Sequence, residues 1–249
     1  MIDYTLKHGS HDSPQDGLCA MEWVAYLAGE RHSDSPECVD PALRRFGIRL
    51  NDALPDGPRQ KLRPYLARMI GTAGDGRTQE RLYMMADWAV RVVAAEAQEV
   101  TGRRDLAERL RALPAIKDKR SALDGERVAR EVAAAASAAF AAATAASTAA
   151  TAASASTAAS AYAATNAAAS TAAAAAASAY AATNAAAAYA ATANTAGNAA
   201  YAATSATADA ATWVRLLPSV LDLLDRMLPT EQVELGEAQR RTYEELCAA

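Results

Sequence analysis

From Val132 through Ala208 the chain has no charged side chain. Leucine and isoleucine are missing from the same stretch, and glycine occurs there once, at Gly197. These absences exclude several kinds of protein. A membrane span needs about 20 strongly apolar residues. Here every window of that length in the stretch holds several Ser, Thr or Asn, so no membrane partner is expected. Cysteine is scarce, and three in 249 residues do not make a disulfide scaffold. The opening MIDYTLKHGSHDSPQDG lacks an apolar leader core, so the cytoplasm is the expected compartment. Positive charge is not in excess: the net charge of −4 and pI near 5.5 argue against a nucleic-acid partner. No alternating apolar–polar run marks a strand.

What fills the uncharged stretch is alanine, at more than half of its positions. Alanine is the best helix former, because folding freezes no rotamer and buries no polar group. The segment SAYAATNAAA occurs at 160–169 and again at 178–187. The two copies start five whole α-turns apart, at Ser160 and Ser178, which favours a helix. A second pattern has a period of three. From Ala143 to Ala191 every third residue is alanine except Ser170. Tyr162, Thr165, Thr171, Tyr180, Thr183, Tyr189, Thr192, Tyr201 and Thr204 share another frame of three. That period suits a 3₁₀ or polyproline II helix better than an α-helix, and propensity has no account of it. An uncharged alanine rod has little to repel its neighbours, so it is expected to pack on itself or on a copy of itself.

On either side the expectation is helical, making the fold all-α: a helical head over 1–117, an alanine-rich helical tract over 118–208, with a hairpin near Gly197 as one way to close it, and an amphipathic helix with a tail over 209–249. Leu18, Met21, Val24 and Leu27 recur at helical spacing and Gly29 ends that run. Asp40 before Pro41 reads as a cap followed by Leu43, Phe46 and Leu50. Pro58 opens a third segment with Leu62, Leu66 and Ile70. A longer helix is expected from Thr78 to Val100, presenting Leu82, Met85, Trp88, Ala89 and Val92, and a short one over Asp105–Leu113 before Pro114. Trp213, Leu216, Leu217, Val220, Leu221, Leu224 and Leu228 form a late apolar stripe, with Pro218 placed in its first turn. Trp23, Trp88 and Trp213 read as core anchors, the last docking the closing helix on the head or on a partner.

Residues that could carry chemistry gather early. His8, His11, Cys19, His32 and Cys38 all lie close to the start of the chain, and zinc takes such ligands four at a time, so a zinc-stapled module centred on residues 8–40 is one expectation. The spacing matches no standard finger. Glu22, Glu30, Asp34, Glu37 and Asp40 supply carboxylates beside His32 for general acid–base work, though acids at helix starts are ordinarily caps. GTAGDGR at 71–77 follows a helix and lacks the Gly-Lys-Ser/Thr ending of a phosphate loop. Arg44, Arg45, Arg59, Arg63 and Arg68 make a mildly basic, solvated face. An enzyme is the least supported class. The favoured reading is a structural or interaction protein working through Tyr162, Thr165, Tyr180, Thr183, Tyr189, Thr192, Tyr201, Thr204 and Trp213, with itself or another protein as partner.

Two resemblances add to this. Thr183, Asn194 and Ser205, and likewise Asn184 and Thr195, keep an eleven-residue spacing. In that and in composition the tract resembles the alanine-rich helical antifreeze proteins of fish, which implies binding to ice or another ordered surface. The block HGSHDSPQDGLCAMEWVAYLAGERHSDSPECVDP, with RPYLARMIGTAGDGR and the late LLPSVLDLLDRML, resembles a group of actinobacterial and phage-associated proteins of no established function. That resemblance implies a microbial origin and one continuous architecture.

Overall fold

The computed structural model describes residues 3–153, 210–230 and 234–249. Every regular element among the described residues is a helix, and none is a strand; the nearest approach is one isolated parallel bridge between Leu6 and Leu18. The expected all-α fold is what is found. The tract residues Tyr162, Thr165, Thr171, Tyr180, Thr183, Tyr189, Thr192, Tyr201 and Thr204, with Gly197, lie outside the described residues. No described helix is long and apolar enough to cross a membrane.

Helix α1 covers Ala20–Ala28 and stops at Gly29, whose φ of 73° a residue with a Cβ rarely adopts. Helix α2, Pro41–Ala53, starts as the Asp-Pro pair predicts: Asp40 Oδ1 accepts from the amides of Ala42 (2.9 Å) and Leu43 (3.1 Å). The third segment begins at Asp56, two positions before Pro58. It runs as α3 (Asp56–Arg59), a 3₁₀ turn (Gln60–Leu62) and α4 (Arg63–Met69).

The longer helix spans Thr78 to Val100 as expected, as α5 (Thr78–Trp88), a π turn (Ala89–Ala94) and α6 (Ala95–Val100). A π turn takes an extra residue. The register therefore slips by one after Trp88, and Val93 is fully buried while the expected Val92 is only half-buried. Helix α7, Arg104–Arg111, and helix α8, Lys119–Ala153, follow; α8 is about 52 Å long at about 1.5 Å per residue. Helix α9 covers Ala210–Met227 and α10 Glu237–Ala248. Pro218 sits in the interior of α9 rather than its first turn. It removes a helical donor to Val214, which is an exposed residue whose carbonyl water can serve.

The apolar side chains form two cores, divided by the α5–π–α6 helix. Leu82, Met85, Trp88, Ala89 and Val93 face the first, with α1, α2, α4, α9 and α10. Ala86, Val90, Ala94 and Ala95 face the second, with α7, Ile116 and the first turns of α8. Among the described side chains of α8 the buried positions are Ala122, Gly125, Ala129, Val132 and Ala136, alternating three and four apart. This seam of small residues brings α8 close to the body. A Cβ at Gly125 would lie 2.8 Å from Ile116 Cδ1. The packed body thus extends past residue 117 to Val132.

Helix α9 docks on the first core through Trp213, Leu216, Val220, Leu223, Leu224 and Met227, with Leu228 just past its end. Trp88 Nε1 donates to Ser219 Oγ at 3.0 Å across this contact. The chain therefore leaves the body through α8, on one side of the central helix, and rejoins it through α9 on the other.

Candidate functional site

The N-terminal loop is folded back on α1 by one carboxylate. Glu22 is the third residue of α1 and is 1% exposed. It accepts from the Cys19 amide (2.7 Å), closing a capping box, and from the amide (2.6 Å) and ring Nδ1 (2.8 Å) of His11. Burial alone would raise its carboxyl. The donors from Cys19 and His11 outweigh that and hold it below the usual range. Glu22 is thus ionised, so His11 Nδ1 carries the proton it shares. His32 Nε2 lies 2.7 Å from the His11 carbonyl, which only accepts, so that nitrogen is protonated too; it is 3.9 Å from Glu22 Oε1. Gly17, at φ 124°, lets Lys7 cross: a Cβ there would sit 2.8 Å from Lys7 Cγ.

Of the five residues expected to share a metal, His11, Cys19 and His32 converge on Glu22. Cys38 goes elsewhere: Glu30 accepts from its amide and from that of Glu37, both at 2.8 Å. His8 is exposed on the loop. Burial pushes the thiols of Cys19 and Cys38 up to about 12. As placed, the donors are committed to one another. Among the described residues no group of three or more His, Cys, Asp or Glu is arranged to hold a metal ion. The arrangement acts as a polar staple: one buried carboxylate fastens residues 11 and 19, and His32 joins through the His11 carbonyl.

The glycines of GTAGDGR serve a different charge. Gly71, Gly74 and Gly76 all have left-handed φ, between 73° and 78°. The loop they shape aims Asp75 at Arg81, which is fully buried. Arg81 donates to both Asp75 oxygens (2.8 and 2.5 Å) and through Nε to the Met227 carbonyl (3.1 Å). Asp40 Oδ2 stands 3.5 Å from the same guanidinium and accepts from Thr78. The Arg81 hydrogen bond holds the Asp75 carboxyl below its usual range.

Two more arginines join Arg81 at the C-terminal end of α9. Arg77 donates to the carbonyls of Arg226 (3.2 Å) and Met227 (3.4 Å) and is steadied by Glu80 at 2.9 Å. Arg68 donates to the carbonyls of Asp225 (3.3 Å) and Pro229 (3.0 Å) and to the Asp225 carboxylate (2.5 Å). A helix end leaves carbonyls without helical donors and carries partial negative charge, which three guanidinium groups here answer. Sequence reasoning missed this clasp, because the partners are about 150 positions apart and no local spacing marks them.

The basic face expected of Arg44, Arg45, Arg59, Arg63 and Arg68 is not a free patch. Arg59 is buried, donating to the carbonyls of Asn51 (2.7 Å) and Leu54 (2.8 Å); Arg63 is buried; Arg44 bonds the Pro36 carbonyl (3.2 Å). All three tryptophans are core anchors as expected, each no more than 2% exposed. Comparison with protein-family models, with curated proteins and with solved structures finds no match.

Proposed function

We propose that this is a structural or interaction protein in which a two-core helical body holds both ends of an alanine-rich tract and offers it for close packing and self-association. The observation that carries the reading is the anchoring of the two flanks. The α8 seam is buried in the second core up to Val132, and α9 is buried in the first from Trp213 onward. The uncharged stretch between them is thus tethered at both ends to one body. An uncharged, small-sided segment lacks the charge repulsion that keeps surfaces apart, and small residues allow close backbone approach.

The test is solution mass against concentration, by light scattering on a sizing column. The full chain should show a mass that rises with concentration. A chain whose segment 141–207 is replaced by a short Gly/Ser connector should remain a monomer at every concentration. A full chain that stays monomeric throughout would overturn the reading.

A further inference from the structure

We propose that Cys247 is a modification site for small disulfides that carry a carboxylate, with Arg63 receiving the negative charge. The inference does not depend on the self-association reading.

Arg63 opens α4 and is 9% exposed. Its buried Nε has no hydrogen-bond partner, and among the described residues no carboxylate pairs with its guanidinium. Its neighbours differ: Arg59 and Arg68 both reach carbonyls and a carboxylate. A guanidinium taken out of water is costly unless acceptors or an anion replace the lost hydration. An unpartnered one is a receptor for an anion, and its planar fork matches a carboxylate.

Beside it is a thiol. The Tyr243 hydroxyl donates to the Pro64 carbonyl at 2.7 Å and so seats α10 on the first turn of α4. Cys247 stands one helical turn beyond Tyr243 on the same face, and Arg63 immediately precedes Pro64. The Arg63 charge acts on the Cys247 sulfur. Cys19 is buried and Cys38 half-buried, whereas Cys247 is exposed and unpaired, so a reagent in solution can reach it.

This thiol is not activated by itself. Burial raises it above its ordinary value, and Tyr243 and Arg63 offset that only in part. Selectivity must therefore come from holding the reagent. In the reaction the Cys247 thiol gives its proton to solvent, and the thiolate attacks one sulfur of the incoming disulfide. A bond forms between that sulfur and Cys247 Sγ, the reagent's S–S bond breaks, and its other half leaves as a thiolate. The half that stays presents its carboxylate to Arg63. The disulfide itself is the only co-reactant.

The test compares an anionic reagent, dithiobis(nitrobenzoate), with an uncharged one, dithiodipyridine. Each is mixed with the full chain, and labelling at Cys247 is followed by peptide mass mapping. The ratio of the two rates is measured for wild type, Arg63→Met and Arg63→Lys. A ratio cancels changes in thiolate fraction or exposure that a purely structural role would cause. It is expected to fall roughly tenfold or more in Arg63→Met, since a local charge concentrates an anionic reagent by such factors, and to recover in part in Arg63→Lys. An unchanged ratio in folded Arg63→Met would overturn the proposal. So would labelling of Cys19 or Cys38 ahead of Cys247, or a dimer joined through Cys247 as the main product. If Arg63→Met does not fold, the wild-type ratio at rising salt decides: a fall supports the proposal and a flat response overturns it.

Discussion

The two cores flank one helix and are built from opposite materials. The first contains Trp23, Trp88, Trp213, Phe46 and most of the leucines and methionines. The second is formed largely by Ala86, Ala94, Ala95, Ala107, Ala122 and Ala129, with Val90, Val132, Leu110 and Ile116 between them. Large side chains bury much apolar area per contact, so a single helix such as α9 can be held by one stripe. Small side chains bury little each, and they work by letting backbones approach, which adds many weak dispersion contacts. The first core therefore suits the capture of a helix from far along the chain. The second suits a close, shape-limited union with the alanine-rich α8. The difference also explains where polar groups collect. The staple at Glu22 and the arginine clasp at α9 both border the first core, where loops and helix ends must be tied to a bulky interior.

The comparison can be broken most strongly at Trp213. Replacing it by alanine removes a fully buried indole from the contact that returns the chain to the body. The expected loss is about 3–5 kcal/mol in denaturant-unfolding free energy. A loss under about 1 kcal/mol would mean that α9 contributes little to the first core.

At Gly125 the second core should respond to an added side chain, not a lost one. Gly125→Val forces branched carbons toward Ile116 and is expected to cost about 1–3 kcal/mol by overpacking. Adding Ile116→Val should return part of that cost, which a double-mutant cycle reads as a favourable coupling. Additive effects would contradict the close approach of α8.

The smallest effect should come from acid. Glu22 and Asp75, both bordering the first core, have carboxyls held below their usual range. Stability from a depressed carboxyl is present above its unfolded value of about 4 and is lost as pH falls through the folded value. Below about pH 4, then, the tryptophan fluorescence of the first core should change before helical circular dichroism falls, since all three tryptophans lie there. Glu22→Gln should flatten this acid response. A chelator should leave the melting temperature unchanged; a downward shift would bring metal back to His11, Cys19 and His32. Coincident fluorescence and dichroism transitions would show that the two cores do not separate.

Much of the helical pattern was readable from one sequence. Asp40-Pro41 starts α2, Gly29 ends α1, and the Thr78–Val100 span is one helix, because caps and periodicity are local properties. The slip at Val92 and Val93 was not readable, since a π turn follows from what packs on each side of the helix. The early histidines and cysteines were legible as a cluster of residue types, but not as a geometry. Glu22, counted only among nearby carboxylates, turned out to be the hub, because it alone has the reach and burial to meet Cys19 and His11 together. Arg59 and Arg68 looked like part of a solvated face because their acceptors are mostly carbonyls, and any residue supplies one.

What the sequence by itself determined is the helical class, most of the helix boundaries, the apolar faces and the charge-free interval, all of which depend on neighbours within a few turns. What only the tertiary structure decided is which face meets which. Two cores share one helix, α8 seats its small residues on one side, and three arginines receive the end of a helix about 150 positions away. Those pairings rest on burial and on carbonyls left open at a helix end, and neither leaves a mark in local spacing.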